Sequence, residues 1–417
     1  MRLLYVVHGF PPRETAGTEQ HVAALAAGMA ARGHAVQVLA ATRAPGRTQY
    51  SRIQGPGVTW IVNNLVARPL SQAEHDPGMK RILEAEARRF RPDLVHVHHL
   101  QFLSTQITWP SPALFTFHDG WSWCAAGGQS LLPSGARCPG PSPEQCAPCA
   151  AAWAPVEGPA QRRLVGLAGR LAPWIAPERL HRLYQRLPPA LRLPTRRGVA
   201  PAAPKEAAAR NAAMAQELSR YALRLAPSRF LADAAAAQGL GPVHTLSHGV
   251  PAAALPHHGG GGLLFLGTLA RHKGPDLVVA AWRRAFPDGA VPLRFFGPMG
   301  EAGLVPDALW GGVLDRAGVA AALSQADALV LGSRWAENAP LVVLEARAAG
   351  CPVVAPALGG LPELIGPEDG LLVPPDDEAA MAAALITVLG RRWKPRPPPG
   401  LQEMLDETEA LYRAQTR

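Results

Sequence analysis

The chain has 417 residues, 48% of them hydrophobic, and 41 Lys+Arg against 32 Asp+Glu give a net charge of +9. That length favours two domains, and the absence of any run of about 18 apolar residues argues against a membrane span. The basic balance is almost all arginine, since only Lys80, Lys205, Lys273 and Lys394 are lysines, and no aromatic–basic recognition motif accompanies it, so nucleic-acid binding is set aside.

Met1-Arg2 leads directly into Leu3–Val7, an apolar run too short for a secretory signal and better read as a first strand. A cytoplasmic protein is the expectation. His8 to Thr18 is loop-like, Glu19–Ala31 has helical spacing ended by Gly33, and Val36–Ala40 is a second strand. Pro92–His98 is a further strand ending in polar residues, and Ala113–Phe117 another, which delivers His118 at its C-terminal end. Residues 160–225 are Arg-rich and helix-like with Pro interruptions. Leu225–Phe230 reads as a strand and turn, His257–Gly262 as a flexible linker, and a second alternating unit runs from Leu263 to Gly390. A basic, Pro-rich segment, Arg391–Gly400, precedes a last helix over Leu401–Ala414. Strands alternating with helices imply parallel sheets.

The densest chemical signal is Glu337-Asn338-Ala339-Pro340-Leu341 leading to Glu345. Upstream, Ala328–Leu331 reads as a buried strand. Pro340 suits the first turn of a helix and Gly350 its stop. Two carboxylates eight positions apart therefore sit where a strand's C-terminal end meets a helix N-terminus, the place where open α/β sheets hold ligands. Carboxylates there repel phosphate and suit hydroxyls, so a ligand with both groups, a nucleotide sugar, fits. Two ordinary surface acids at a solvated helix end have the same spacing.

The neighbouring motifs decide between these. Arg271-His272-Lys273-Gly274 follows the strand Leu263–Leu266, while Gly350-Cys351-Pro352-Val353-Val354-Ala355 and Gly359-Gly360-Leu361-Pro362-Glu363 follow the acidic pair. In this order they resemble the retaining glycosyltransferases of the two-Rossmann-domain (GT-B) type, the family 4 or group 1 set, with its E-x7-E pair, R-x-K-G element and G-x-P-V-V-A/G-G-x-P-E sequence. The resemblance implies an α/β fold of two Rossmann-like, doubly wound parallel-sheet domains facing a cleft, with the C-terminal helix crossing back to the first. It places boundaries at 1–247, a hinge at 248–262, a nucleotide-sugar domain at 263–395 and the closing helix at 396–417.

By the same resemblance, Arg271 and Lys273 hold the nucleotide diphosphate. Glu345 takes the ribose and Glu337 the sugar hydroxyls near the reacting carbon. Asn338, Ala339, Pro340 and Leu341 offer backbone groups. His118 lines the reaction centre, and Asp119 follows it. Ala16-Gly17-Thr18-Glu19 stands where the family has G-G-x-E, a loop whose backbone nears the donor phosphates; the alanine is tolerable if only Gly17 needs a positive φ. His96, His98 and His99 read as structural. No D-x-D motif is present, so no catalytic metal is expected.

Cys124, Cys138, Cys146 and Cys149, spaced C-x13-C-x7-C-x2-C in one Pro/Gly-rich loop, suit a structural zinc site. Incidental thiols and an iron–sulfur cluster are the alternatives. The arginines from Arg162 to Arg197, with Trp174 and Tyr184 among them, suit either a solvated helical face or the anionic inner face of a membrane. The expected activity is transfer of a sugar from a nucleotide-sugar donor to a hydroxyl of a glycan or lipid-linked acceptor, with retention, in polysaccharide or glycolipid synthesis. A nucleotide-sugar epimerase of the same architecture and a catalytically silent nucleotide-binding scaffold are the competing readings.

Overall fold

The computed structural model describes residues 1–44, 47–64, 75–153, 155–156, 196–197 and 204–416. The chain divides into two compact units. The first comprises Met1–Gly128, Pro139–Arg224 and Ala414–Arg417; the second comprises Gln129–Cys138 and Leu225–Arg413. The arginines from Arg162 to Arg192 fall outside the described residues. Arg196–Arg197 is described and pairs antiparallel with Pro155–Val156.

In the first unit, β1 (Arg2–Val7) feeds α1 (Gly17–Ala31) and β2 (Ala35–Thr42). β3 (Arg52–Gly55) and β4 (Val58–Val62) form a hairpin, α2 (Pro77–Phe90) follows, and β5 (Leu94–Val97) and β6 (Ala113–Thr116) complete the set. The order is β6-β5-β1-β2-β4-β3, parallel throughout except between β3 and β4. Leu4, Tyr5, Val6 and Val7 are fully buried, as expected of a parallel strand covered on both faces. Asp76 starts α2 by accepting hydrogen bonds from the N–H groups of Gly78 and Met79. The hairpin and α2 are elements that the sequence reading passed over.

The chain leaves β1 towards β2 on one side, and β5 lies on the other. The β1/β5 boundary is therefore the topological switch point, where the C-terminal strand ends open a crevice. His8 follows β1 there, and His98 and His99 follow β5.

The second unit repeats this logic. Leu225 and Ala226 of β9 (Leu223–Ala226) pair parallel with β10 (His244–Thr245), where β7 and β8 denote Pro155–Val156 and Arg196–Arg197. α3 (Arg229–Ala237) lies between β9 and β10. A five-stranded parallel sheet then runs β12-β11-β13-β14-β15, from β11 (Leu263–Leu266), β12 (Leu293–Phe296), β13 (Ala328–Val330), β14 (Val353–Pro356) and β15 (Gly370–Val373). Alternation along β11 sends Leu263 and Phe265 to one face, with Phe295, Val278 and Val330. It sends Leu264 and Leu266 to the other, with Leu329, Val343 and Val353. Here the switch point falls between β11 and β13.

The last helix, α5 once α4 (Leu341–Ala349) is counted, spans Leu401–Gln415 and buries Met404, Leu405, Thr408 and Tyr412. The Leu401 N–H donates to the Val250 carbonyl at 2.9 Å, tying the helix start to the expected hinge. Residues to Arg413 fall in the second unit and Ala414–Arg417 in the first. Among the described residues no helix is long and apolar enough to cross a membrane.

Candidate functional site

In the second unit the switch point is bridged by an ion pair. After β11 the chain makes a short 3-10 turn, Arg271–Lys273, while after β13 it runs as a loop to Pro340. Lys273 Nζ lies 2.8 Å from Glu337 Oε1, and the Ser333 hydroxyl donates to the same oxygen at 2.7 Å. The Trp335 ring lies under the ammonium, 4.4 Å from its centroid. Glu337 is only 5% exposed. Burial pushes its carboxyl up, but the Lys273 charge and hydrogen bond outweigh that and hold it below the usual carboxylate range.

The loop carrying Glu337 rests on the two glycines of G-G-x-P-E. The Gly360 N–H donates to the Glu337 carbonyl, at 2.6 Å. Gly359 has φ +64, and a Cβ there would run into the Glu337 backbone; one on Gly360 would strike the Asn338 carbonyl. Gly359→Ala is expected to destabilise the protein by about 2 kcal/mol or more, from the left-handed backbone and the collision together. It should also weaken nucleotide binding, because relief of the collision moves Glu337. Urea titration of the variant beside nucleotide binding checks both. Glu363 of the same motif plays a different part: its carboxylate accepts from the Arg229 and Phe230 N–H groups at 2.9 and 2.6 Å, capping α3.

Pro340 proves to be the N-cap of α4, one residue before the first turn, and no side chain caps that helix. Glu345 sits half-buried in its second turn, and burial raises its carboxyl above the ordinary value, with Arg316 pulling it partly back. Asn338 and Ala339 are buried in the loop that leads to this helix. Arg271 is unlike Lys273: its side chain is 70% exposed and stands 3.7 Å from Glu301. A residue missed from sequence, Arg334, holds the loops together, with both guanidinium NH groups on Asp276 at 2.7 and 3.0 Å and Nε on Asp376 at 3.0 Å.

In the first unit, Gly17 opens α1 without a positive φ, and a Cβ there would meet nothing within 4 Å. The expected need for a left-handed backbone at Gly17 is thus not met, because the helix begins at that residue. The α1 N-terminus, preceded by Ala16, has no side-chain cap. His118 follows β6 as expected, with Nε2 3.0 Å from His98 Nδ1. His98, read as merely structural, therefore touches a predicted site residue. His21 from α1 completes a group in which one nitrogen from each of His21, His98 and His118 lies within 4.8 Å of the others. Burial pushes His21 down to about 4 and, with the His21 charge, His96 to about 3, so both rings are neutral near pH 7. Asp119 accepts from the Trp121 N–H at 2.8 Å and faces His99 Nε2 at 3.4 Å.

All five cysteines are thiols in this structure. The three histidines are the one His/Cys/Asp/Glu group of metal-holding geometry among the described residues. Cys124, Cys146 and Cys149 lie in the first unit and Cys138 in the second. Cys351 is buried in the second core, and desolvation raises its thiol to about 12.

Two family models match the chain: "Glycosyl transferases group 1" over residues 260–391 and "Glycosyltransferase Family 4" over residues 15–137. A curated relative, a glycogen synthase of Mycobacterium tuberculosis, is 34% identical over 170 residues, 36% of this chain. The match spans 41% of that relative's length. Among solved structures, a sucrose-phosphate synthase from Thermosynechococcus elongatus superposes over 99% of both chains with TM-score 0.60 and 17% identity. Anabaena HepE in complex with UDP-glucose does so over 99% of this chain and 100% of its own, with TM-score 0.55 and 14% identity. Both show the fold: two parallel-sheet domains of the GT-B type. With two family models covering more than half of its residues and the architecture of that fold, the chain belongs to the group 1, family 4 glycosyltransferases.

Proposed function

We propose that the protein transfers a sugar from a nucleotide-sugar donor to a hydroxyl acceptor. The observation that carries this reading is the buried Lys273–Glu337 pair at the switch point of the second sheet, beside a helix N-terminus that no side chain caps. The uncapped N–H groups of α4 and the Lys273 ammonium suit a diphosphate, while the anionic Glu337 and the partly buried Glu345 suit hydroxyls. HepE was solved with UDP-glucose, and this chain shares its fold.

As the bond between the anomeric carbon and the phosphate oxygen breaks, negative charge collects on the diphosphate. Lys273, with Arg271 at the exposed edge of the same turn, meets that charge and stabilises the transition state more than the ground state. Glu337 orients the sugar through its hydroxyls and Glu345 the ribose. The backbone of Asn338–Leu341 lies along the donor, while Gly17 and His118 of the first unit keep the donor-phosphate and sugar roles that the family resemblance implies. The acceptor oxygen bonds to the anomeric carbon and its proton passes to the departing diphosphate, on the same face of the sugar, which retains configuration. The acceptor is a glycan or lipid-linked glycan.

A thermal-shift panel of UDP, GDP, ADP and their sugars tests this. A ligand at about 100-fold its dissociation constant adds roughly 2.7 kcal/mol to folded-state stability. One base is expected to stabilise wild type and not Lys273→Ala. No shift with any nucleotide would overturn the reading and favour a silent scaffold. A product that remains a free, inverted nucleotide sugar would mark an epimerase.

A further inference from the structure

Three elements of the first unit each send one histidine to a common point. His21 lies in the second turn of α1, His98 directly follows β5, and His118 stands two residues past β6. β5 and β6 are parallel neighbours, so their C-terminal ends, and the histidines beyond them, lie side by side. The His98 N–H donates to the Val6 carbonyl of β1 at 2.8 Å, which fixes its backbone. His98 Nδ1 and His118 Nε2 are 3.0 Å apart, and one nitrogen from each of the three rings lies within 4.8 Å of the others. The His21 ring centroid is 5.6 Å from that of His98 and 5.3 Å from that of His118. His21 is 7% exposed and His98 is fully buried.

Two ring nitrogens at this distance are joined by a single proton. On a tetrahedral ion, with each nitrogen at about 2.0–2.1 Å, two nitrogens sit about 3.4 Å apart. The His98–His118 pair therefore opens by only a few tenths of an ångström to take an ion in place of the proton, and a rotation of the His21 ring brings in the third nitrogen. No proton need leave the protein, because the donating ring carries its proton on the other nitrogen instead, and a neutral imidazole is the form that coordinates.

The ligand set selects the ion. Three imidazoles, with neither carboxylate nor thiolate in the group, suit zinc and its late first-row neighbours, whereas magnesium and calcium take oxygen. Three protein ligands leave the fourth tetrahedral position open. A further histidine, His96, packs on His98 with ring centroids 4.0 Å apart, but its Nε2 is 2.7 Å from Thr116 Oγ1 and it stands outside the group.

We propose that His21, His98 and His118 form a binding site for a divalent ion of the zinc class, and that the ion, by taking the His118 ring, withholds it from the donor sugar and inhibits transfer. The binding stands on the three rings alone; only the inhibition rests on the proposed function.

X-ray absorption on the reduced, chelator-treated full chain given zinc tests the site without any variant. By the second equivalent the ion is expected to show nitrogen at about 2.0–2.1 Å with the outer-shell scattering of three imidazoles. Sulfur alone, at about 2.3 Å, would put the zinc on the cysteines and overturn the proposal. Isothermal titration should resolve a zinc site that excess magnesium does not fill and that His21→Leu weakens about 100-fold, one ligand's share of a zinc site's affinity. His96→Leu disturbs the same cluster without removing a ligand, so it should keep that affinity, with circular dichroism confirming that both variants fold. Equal loss in the two variants, or loss in neither, overturns the site. Saturating zinc should slow donor turnover by wild type far more than by His21→Leu, and a chelator should restore the rate. Undiminished turnover with zinc bound overturns the inhibition. If zinc binds as expected while no donor is ever turned over, the transferase reading fails and the site stands.

Discussion

Lys273→Ala is expected to lower turnover of the nucleotide-sugar donor about 100-fold or more, the usual effect of removing one group aimed at developing charge. Two consequences combine. The diphosphate loses a cation placed by a rigid 3-10 turn, and Glu337 loses its main counter-charge. A carboxylate that is 5% exposed and no longer paired pulls a proton or drags in water, since an isolated buried charge is strongly disfavoured. The hydroxyl acceptor offered to the sugar is then altered as well. Arg271→Ala should fall much less, because its side chain is exposed and its pairing with Glu301, at 3.7 Å, is weak. Ser333→Ala should lie between them. Single-turnover rates of donor cleavage, with circular dichroism to confirm folding, measure the series. Near-normal turnover in Lys273→Ala would remove the assignment of that residue.

Much of this site was legible in the sequence for a physical reason. Parallel strands covered on both faces must be apolar runs, so Leu263–Leu266 and Ala328–Leu331 announced themselves, and the residues just beyond them fall at the crevice whatever the details. Gly359 and Gly360 were visible as a motif, and their purpose became plain only once the Glu337–Asn338 backbone was seen pressed against them. Other features depend on contacts between residues far apart in the chain. Nothing local says that Lys273 meets Glu337, that Arg334 clamps Asp276, or that Glu363 caps a helix more than a hundred positions upstream. The β3–β4 hairpin escaped because Arg52–Gly55 is short and half-exposed. His98 escaped because an apolar-flanked histidine at a strand end reads the same whether it fills the core or touches a functional ring.

The histidines that made this crevice hard to read also make the first unit acid-labile. His21 and His96 are 7% and 2% exposed, and burial depresses them from 6.5 to about 4 and about 3. A base with a depressed folded-state value binds its proton more weakly than the unfolded chain does. Its stabilising contribution is therefore complete above the unfolded value, near pH 6.5, and is lost as pH falls towards the folded value. Each pH unit in that window costs about 1.4 kcal/mol per histidine, so by about pH 4.5 the two together remove roughly 5 kcal/mol, comparable to the whole stability of many domains. Carboxylates held low, such as Glu19 and Glu337, lose their contribution over a still lower range and cannot mimic a loss that starts near pH 6. Urea midpoints followed by the first unit's tryptophan fluorescence should drop steeply between pH 6.5 and 4.5. His96→Leu should flatten that slope, with His21 and His99 supplying what remains, even where it lowers stability at neutral pH, because it deletes a proton-uptake site whatever it does to packing. His96 accordingly matters to acid stability through its missing proton, whereas its hydrogen bond to Thr116, at 2.7 Å, matters at every pH. An unchanged slope in the variant would assign the lability to other groups.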